Sequence, residues 1–178
     1  MENLAFSRYG ITLSRLQMSE LELLRSWRND PAIASLMQQQ SGKIITSDEQ
    51  IHWFNSIKDS PNAFYFMAYW KGQPVGYSAI KNIDWNARYG EPGNITKTDN
   101  PVVSLFKTMA TFDLFFEKLE MKYLLANFKS NNYRIIKFSS LFGYKALSQQ
   151  NDEFIKYRLD KQIYLTHRAN LLQKFSLI

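Results

Sequence analysis

Cysteine is absent from the chain and only two histidines, His52 and His167, are present. Thiolate nucleophiles, disulfide frameworks and Cys-built metal sites are therefore excluded, and two imidazoles are too few to build a metal centre by themselves. What remains is acid–base work by a carboxylate or by His52, which lies beside Trp53. His167 sits in a basic terminal stretch and reads as solvated. Arg28 and Asn29 could contact a phosphate or equally close a helix. Trp53, Trp70 and Trp85 could stack on a sugar or base, although aromatic residues at such spacings more often fill a core. Lys and Arg (22) outnumber Asp and Glu (16), giving a net charge of +6. That balance suits an anionic small substrate, a membrane surface or nucleic acid. The basic residues are scattered and no basic–aromatic motif of a known kind appears, so nucleic acid is not expected.

These residues need a scaffold, and 178 residues suffice for one domain with a sizeable core. An opening strand spans Ile11 to Leu16. Ser19 is read as the cap of a helix to Asn29, with Glu22 three residues on. Pro31 ends that helix or starts a short one through Met37. Ser47 or Asp48 caps the next helix, to about Lys58, with Ile51, Phe54 and Ile57 as its buried stripe. A β-hairpin follows, from Ala63 to Lys81 around Lys71-Gly72-Gln73-Pro74. A strand is placed at Asn86–Gly90, and Glu91 to Asn100 reads as loop. Asn100 or Asp99 then caps the longest helix, with Pro101 as its first residue. Its apolar face is Val102, Leu105, Phe106, Met109, Phe112 and Phe116. Beyond Leu119 the reading is strand 123–128, helix 132–141, strands from Tyr144 and over 154–159, and a terminal helix at 162–175. The alternation points to an α/β (α+β) fold with a mixed sheet of about six to seven strands, flanked by helices on both faces.

The segment from Asn131 to Lys145, NNYRIIKFSSLFGYK, resembles a late motif of the GNAT N-acetyltransferases, in which Asn opens a helix that ends in Gly-Phe or Gly-Tyr. Asn132, Phe138, Leu141, Gly143 and Tyr144 match in register. Trp27-Arg28-Asn29 and Glu49-Gln50-Ile51-His52-Trp53-Phe54 resemble the branch holding amino-sugar and ribosomal-protein N-terminal acetyltransferases. Gly76 in the hairpin and Tyr89-Gly90 fall in order. The likeness covers roughly residues 10 to 160, so a single domain over 1–178 is expected, with the terminal helix appended.

This resemblance implies transfer of an acetyl group from acetyl-CoA to a primary amine. The coenzyme pyrophosphate would sit at the amino end of the longest helix, where free amides and the helix dipole favour an anion. The residues there are Val102, Val103 and Ser104, and both family glycines are missing. Pro101 lacks an amide and Asp99 adds negative charge, which weakens the expected binding. Asn132 belongs to the same coenzyme surface. Seven residues after Asn132 the family often has a tyrosine as general acid; Ser139 stands here and is a poorer acid with a shorter reach. Glu91, following Tyr89-Gly90, is the candidate base, with His52 second and Asp84 weaker. Arg28, Asn29 and Trp53 are the acceptor candidates.

The sequence therefore predicts an acetyl-CoA-dependent N-acetyltransferase without a metal, acting on a small amine such as an amino-sugar nucleotide. A protein N-terminus is the rival acceptor, and a catalytically inactive GNAT-fold module the rival function. The opening MENLAFSRYG has no apolar run of signal-peptide length, and nowhere do 18 apolar residues run together. A cytoplasmic location, no membrane partner and a homodimer are the remaining expectations.

Overall fold

A computed structural model describes residues 4–35, 43–149 and 153–175. Its strands hydrogen-bond into an eight-stranded mixed sheet. The expected six to seven strands gain a short first one, β1 (Phe6–Arg8), paired with β2 (Ile11–Arg15). Tyr9 and Gly10 between them both have positive φ, 57° and 74°, the conformation of a tight two-residue hairpin turn. The chain divides into two compact units. One comprises the segment up to Asn82 with Gly93–Leu114, the other Ile83–Pro92 with the segment from Phe115 on. No helix among the described residues is long and apolar enough to cross a membrane.

In the first unit, β2 pairs with β3 (Phe64–Trp70), and β3 with β4 (Gln73–Asp84). The hairpin between β3 and β4 turns on Lys71 and Gly72, φ 50° and 75°, so the strand resumes at Gln73 rather than Val75. One sheet face packs under α1 (Leu21–Arg28) and α3 (Ser47–Ile57). Leu21, Leu24, Trp27 and Phe54 meet Tyr65, Met67, Ala79 and Ile95 there. The opposite face lies under α4 (Pro101–Asp113), as the contact of Ser78 with Thr111 at 2.8 Å shows.

Several local expectations change. The carboxylate that closes the start of the first helical segment is Glu20, accepting from the Gln17 amide at 2.6 Å. A 3-10 turn over Met18–Glu20 already encloses Ser19, and Glu22 instead pairs with Arg25 one turn further on. Asp30 caps α2 (Pro31–Ala34); Met37 lies outside the described residues. Thr46 is the cap of α3, reciprocated by Glu49. The α3 face turned to the sheet is Gln50 and Phe54, with Trp53 and Ile57 partly buried, while Ile51 is exposed. Phe54 and Ile57 fit both helical stripes, so periodicity alone could not choose between them.

The largest change is β5, which spans Tyr89–Thr96 where local preference predicts a loop from Glu91 onward. Pro92, Gly93 and Asn94 are turn formers by local preference, and the sheet overrides them. A strand here gives Gly93 ordinary contact with Ala79 (3.7 Å for a built β-carbon). It also turns the Asn94 carboxamide toward Ser78, at 3.0 Å. Helix α4 is buried along nearly its whole length rather than on one stripe, and Val102, expected inside, is exposed.

In the second unit β5 runs parallel to β6 (Tyr123–Lys129) at Tyr89 and Gly90. Antiparallel β8 (Phe154–Asp160) pairs with β6 and with β7 (Lys145–Gln149). The strand order is thus β1-β2-β3-β4-β5-β6-β8-β7. The helical path of α4 continues as a π-helical turn over Leu114–Lys118. Asn132 caps α5 (Tyr133–Ser140). Gly143, φ +97°, lies under the last helix, α6 (Lys161–Phe175). A β-carbon there would stand 2.5 Å from Ile163 Cγ2, so this terminator is bare for packing as well as for its turn.

Candidate functional site

Two places in the first unit carry chemistry. At one, Arg28 ends α1 and spreads over the ring of Trp53, 5.0 Å from its centroid. Its Nη1 donates to Gln50 Oε1 at 3.0 Å, its one hydrogen-bond acceptor among the described residues. A guanidinium carries five N–H donors, and no carboxylate pairs with this one among the described residues. Trp53 meets Tyr65 edge-on at 5.3 Å, and Tyr65 lies 6.2 Å from Tyr77. Burial lowers the Arg28 pKa, partly offset by Tyr77 and Tyr65. Burial likewise raises Tyr65, and raises Tyr77 well above its ordinary value. Gln50 is itself 1% exposed, and its Nε2 is buried without a partner. The cluster thus offers an unpaired cation, an idle amide donor and stacked aromatic rings, a set suited to an anionic group attached to something flat or apolar.

Asn29 does a different job beside it. Its Nδ2 donates to the Ile45 carbonyl, and its Oδ1 accepts from the Ile45 amide, both at 2.8 Å. Both ends of that carboxamide are spent on holding the chain that leads into α3.

The other place is the amino end of α4. Pro101 has no amide. Asn100 Oδ1 accepts from Val102 N at 3.0 Å and Val103 N at 3.3 Å, and Ser104 N bonds the Asn100 carbonyl at 3.0 Å. Two amides therefore converge on one oxygen, as they would on an anion, but that oxygen belongs to the chain itself. The donor set fits a phosphate oxygen once the Asn100 side chain swings away, at a cost of about 1 kcal/mol for the lost cap. Lys97, which could have added charge, is tied to Asp30 at 2.8 Å.

The remaining candidates lie elsewhere. His52 is exposed on α3. Glu91 is half-buried on β5 and follows Gly90, which pairs with Leu124 of β6. In the second unit Asn132 spends its side chain on the Ile135 amide at 3.2 Å, and Ser139 is buried in α5. Asp84 accepts from the Ala87 amide in the turn before β5. His167 Nδ1 donates to the Leu141 carbonyl at 3.0 Å. No group of three or more His, Cys, Asp or Glu capable of holding a metal gathers among the described residues.

The acetyltransferase (GNAT) domain model matches residues 13–158. The chain belongs to the GNAT acetyltransferase family. No curated protein matches it. Solved GNAT structures share its fold at low identity. FdhC, described as a nucleotide-linked sugar GNAT, superposes with a TM-score of 0.80 at 16% identity, covering 96% of this chain and 97% of that one. Vibrio cholerae spermidine N-acetyltransferase, in complex with CoA and spermine, gives 0.78 at 14%, covering 89% and 99%. The Campylobacter jejuni N-acetyltransferase PseH gives 0.69 at 19%, covering 85% and 99%.

Within this GNAT chain, sequence reasoning missed Gln50 as part of the Arg28 cluster, and offered Lys107, with Lys97 and Ser104, only as a partial compensation at the pyrophosphate turn, missing its burial. Lys107 is fully buried on α4. Its Nζ donates to Tyr77 O at 2.9 Å, and to Asn94 Oδ1 and Ile95 O at 3.0 Å each. The available signal was a lone lysine inside the apolar run of a long helix.

Proposed function

We propose that this GNAT-family chain acetylates a small primary amine that carries an anionic group, an amino-sugar nucleotide fitting best. The observation that carries the reading is Arg28, a half-buried guanidinium with no carboxylate partner among the described residues, set on Trp53 and beside the idle Nε2 of Gln50. A protein N-terminus needs no such anion site, so the cluster favours the small acceptor. In this reading Arg28 and Gln50 fix the acceptor's phosphate and Trp53 stacks on its flat part. Glu91, which belongs to the other unit, is the base candidate that the sequence offers first, and His52, exposed on α3, the second. Acetyl-CoA supplies the activated acetyl group when bound. Val102 and Val103 amides with the Ser104 hydroxyl would hold its pyrophosphate after Asn100 releases them.

One observation favours a second reading, a binding module without catalysis: the Val102, Val103 and Ser104 amides at the start of α4 are already satisfied by Asn100. Calorimetry with acetyl-CoA and free CoA separates the two. Micromolar binding followed by thiol release with phosphate-bearing amines, and not with their neutral counterparts, supports the enzyme. No binding at millimolar coenzyme leaves the module.

A further inference from the structure

The buried lysine of α4 stands directly behind the Arg28 cluster's β4 wall. Three N–H bonds of an ammonium match the three acceptors of Lys107, and two of those are main-chain carbonyls on neighbouring strands, Tyr77 and Ile95. The Ile95 carbonyl accepts from Lys107 and lies so close to Gly76 that a β-carbon built there would stand 2.4 Å from it. Losing a donor to a buried acceptor is costly. The third acceptor, Asn94 Oδ1, also takes the Ser78 hydroxyl. Tyr77 is thus held twice, its carbonyl by Lys107 and its ring against Tyr65 on the acceptor face.

Among the described residues no carboxylate pairs with Lys107. The ionisable side chains that its neighbouring elements carry within this unit are Arg8 on β1, Arg15 on β2, Tyr77 and Lys81 on β4 and Asp113 on α4. Arg15 lies over the Phe64 and Phe66 rings and donates to the Lys58 carbonyl at 3.0 Å. The Tyr77 ring is on the opposite sheet face, Lys81 lies beside Gly93, and Asp113 is bound by Arg8 and Tyr9 at 2.8 Å each. Burial pushes Lys107 down to about 7. Above that pH a neutral amine has two N–H bonds for three acceptors, and one of them loses its lysine donor.

We propose that Lys107 is a positioning residue for the acceptor site, its ammonium fixing the β4 and β5 carbonyls so that Tyr77 closes the pocket of Arg28 and Trp53. The proposal rests on the anionic-acceptor reading above. Two measurements test it. In the first, nuclear magnetic resonance of the whole chain follows lysine Nζ signals and the carbonyl carbons of Tyr77 and Ile95 against pH. One lysine titrates near neutrality and both carbonyls move with its midpoint; carbonyls that stay still while Lys107 titrates overturn the positioning role.

In the second, benzenesulfonate, an anion that does not titrate between pH 6 and 9, is bound to wild type, Lys107→Met and Arg28→Met, with each fold checked by circular dichroism. Wild-type affinity falls roughly 2- to 10-fold from pH 6 to 8.5, the worth of one hydrogen bond. Lys107→Met binds with the weaker, pH-independent affinity, and Arg28→Met hardly binds. A pH step that survives in Lys107→Met overturns the proposal. Failure of wild type to bind benzenesulfonate at any pH overturns the acceptor reading itself, whatever the carbonyl signals do.

Discussion

Gly76 and Lys107 occupy one another's space: a β-carbon on the glycine would stand 3.1 Å from the lysine Cε. The same carbon would meet the Ile95 carbonyl at 2.4 Å, and that backbone atom cannot step aside as a flexible side chain could. Gly76→Ala is therefore expected to destabilise the fold by about 1–3 kcal/mol through overpacking. Urea unfolding at pH 7 measures it. A change within error would show that β4 and β5 can part without cost.

The buried amine also sets a pH dependence of stability. Lys107 has an ordinary pKa of 10.5 and is lowered to about 7 by burial. Between those values the unfolded chain binds the proton and the folded chain does not. Stability should therefore rise with pH from about 7 to 10.5, by up to about 1.4 kcal/mol per unit from this group. Lys107→Met should flatten that slope when midpoints of urea unfolding are compared across the window. An identical slope in both proteins would place the lysine charge elsewhere.

Removing the guanidinium tests the acceptor cluster. Arg28→Met should weaken a phosphate-bearing amine by roughly 10- to 100-fold, the worth of one charge-assisted hydrogen bond, and leave a neutral amine unaffected. The loss should appear in KM rather than kcat, because the group binds away from the reacting atoms. Equal losses for both amines would argue against an anion site.

At the start of α4, Asn100→Ala removes the cap and should cost about 1 kcal/mol of stability. The same change frees the Val102 and Val103 amides, so CoA should bind a few-fold tighter, by about the cap energy no longer displaced. Calorimetry and thermal unfolding on the same protein read the two effects together. Weaker CoA binding would mean that Asn100 helps to hold the coenzyme instead of competing with it.

Local chemistry made much of this molecule legible from its sequence. Asn100-Pro101 and Asn132 start their helices as those residue types favour, and Gly143 ends one because only glycine adopts its backbone cheaply. The hairpin of β3 and β4 follows from two strand-forming runs on either side of the Lys71-Gly72 turn. Arg28 and Trp53 were singled out as residue types, and the fold brings them together across 25 positions of chain, at 5.0 Å. Only the tertiary structure could decide the rest, because the deciding partners are distant in sequence. Glu91–Thr96 is a strand since the sheet and α4 supply acceptors and donors that its Pro, Gly and Asn do not advertise. Asn29, read as a ligand contact, is occupied by Ile45. Lys107 looks like a surface residue by type and lies at 0% exposure, because three oxygens from β4 and β5 converge where its helix happens to place it.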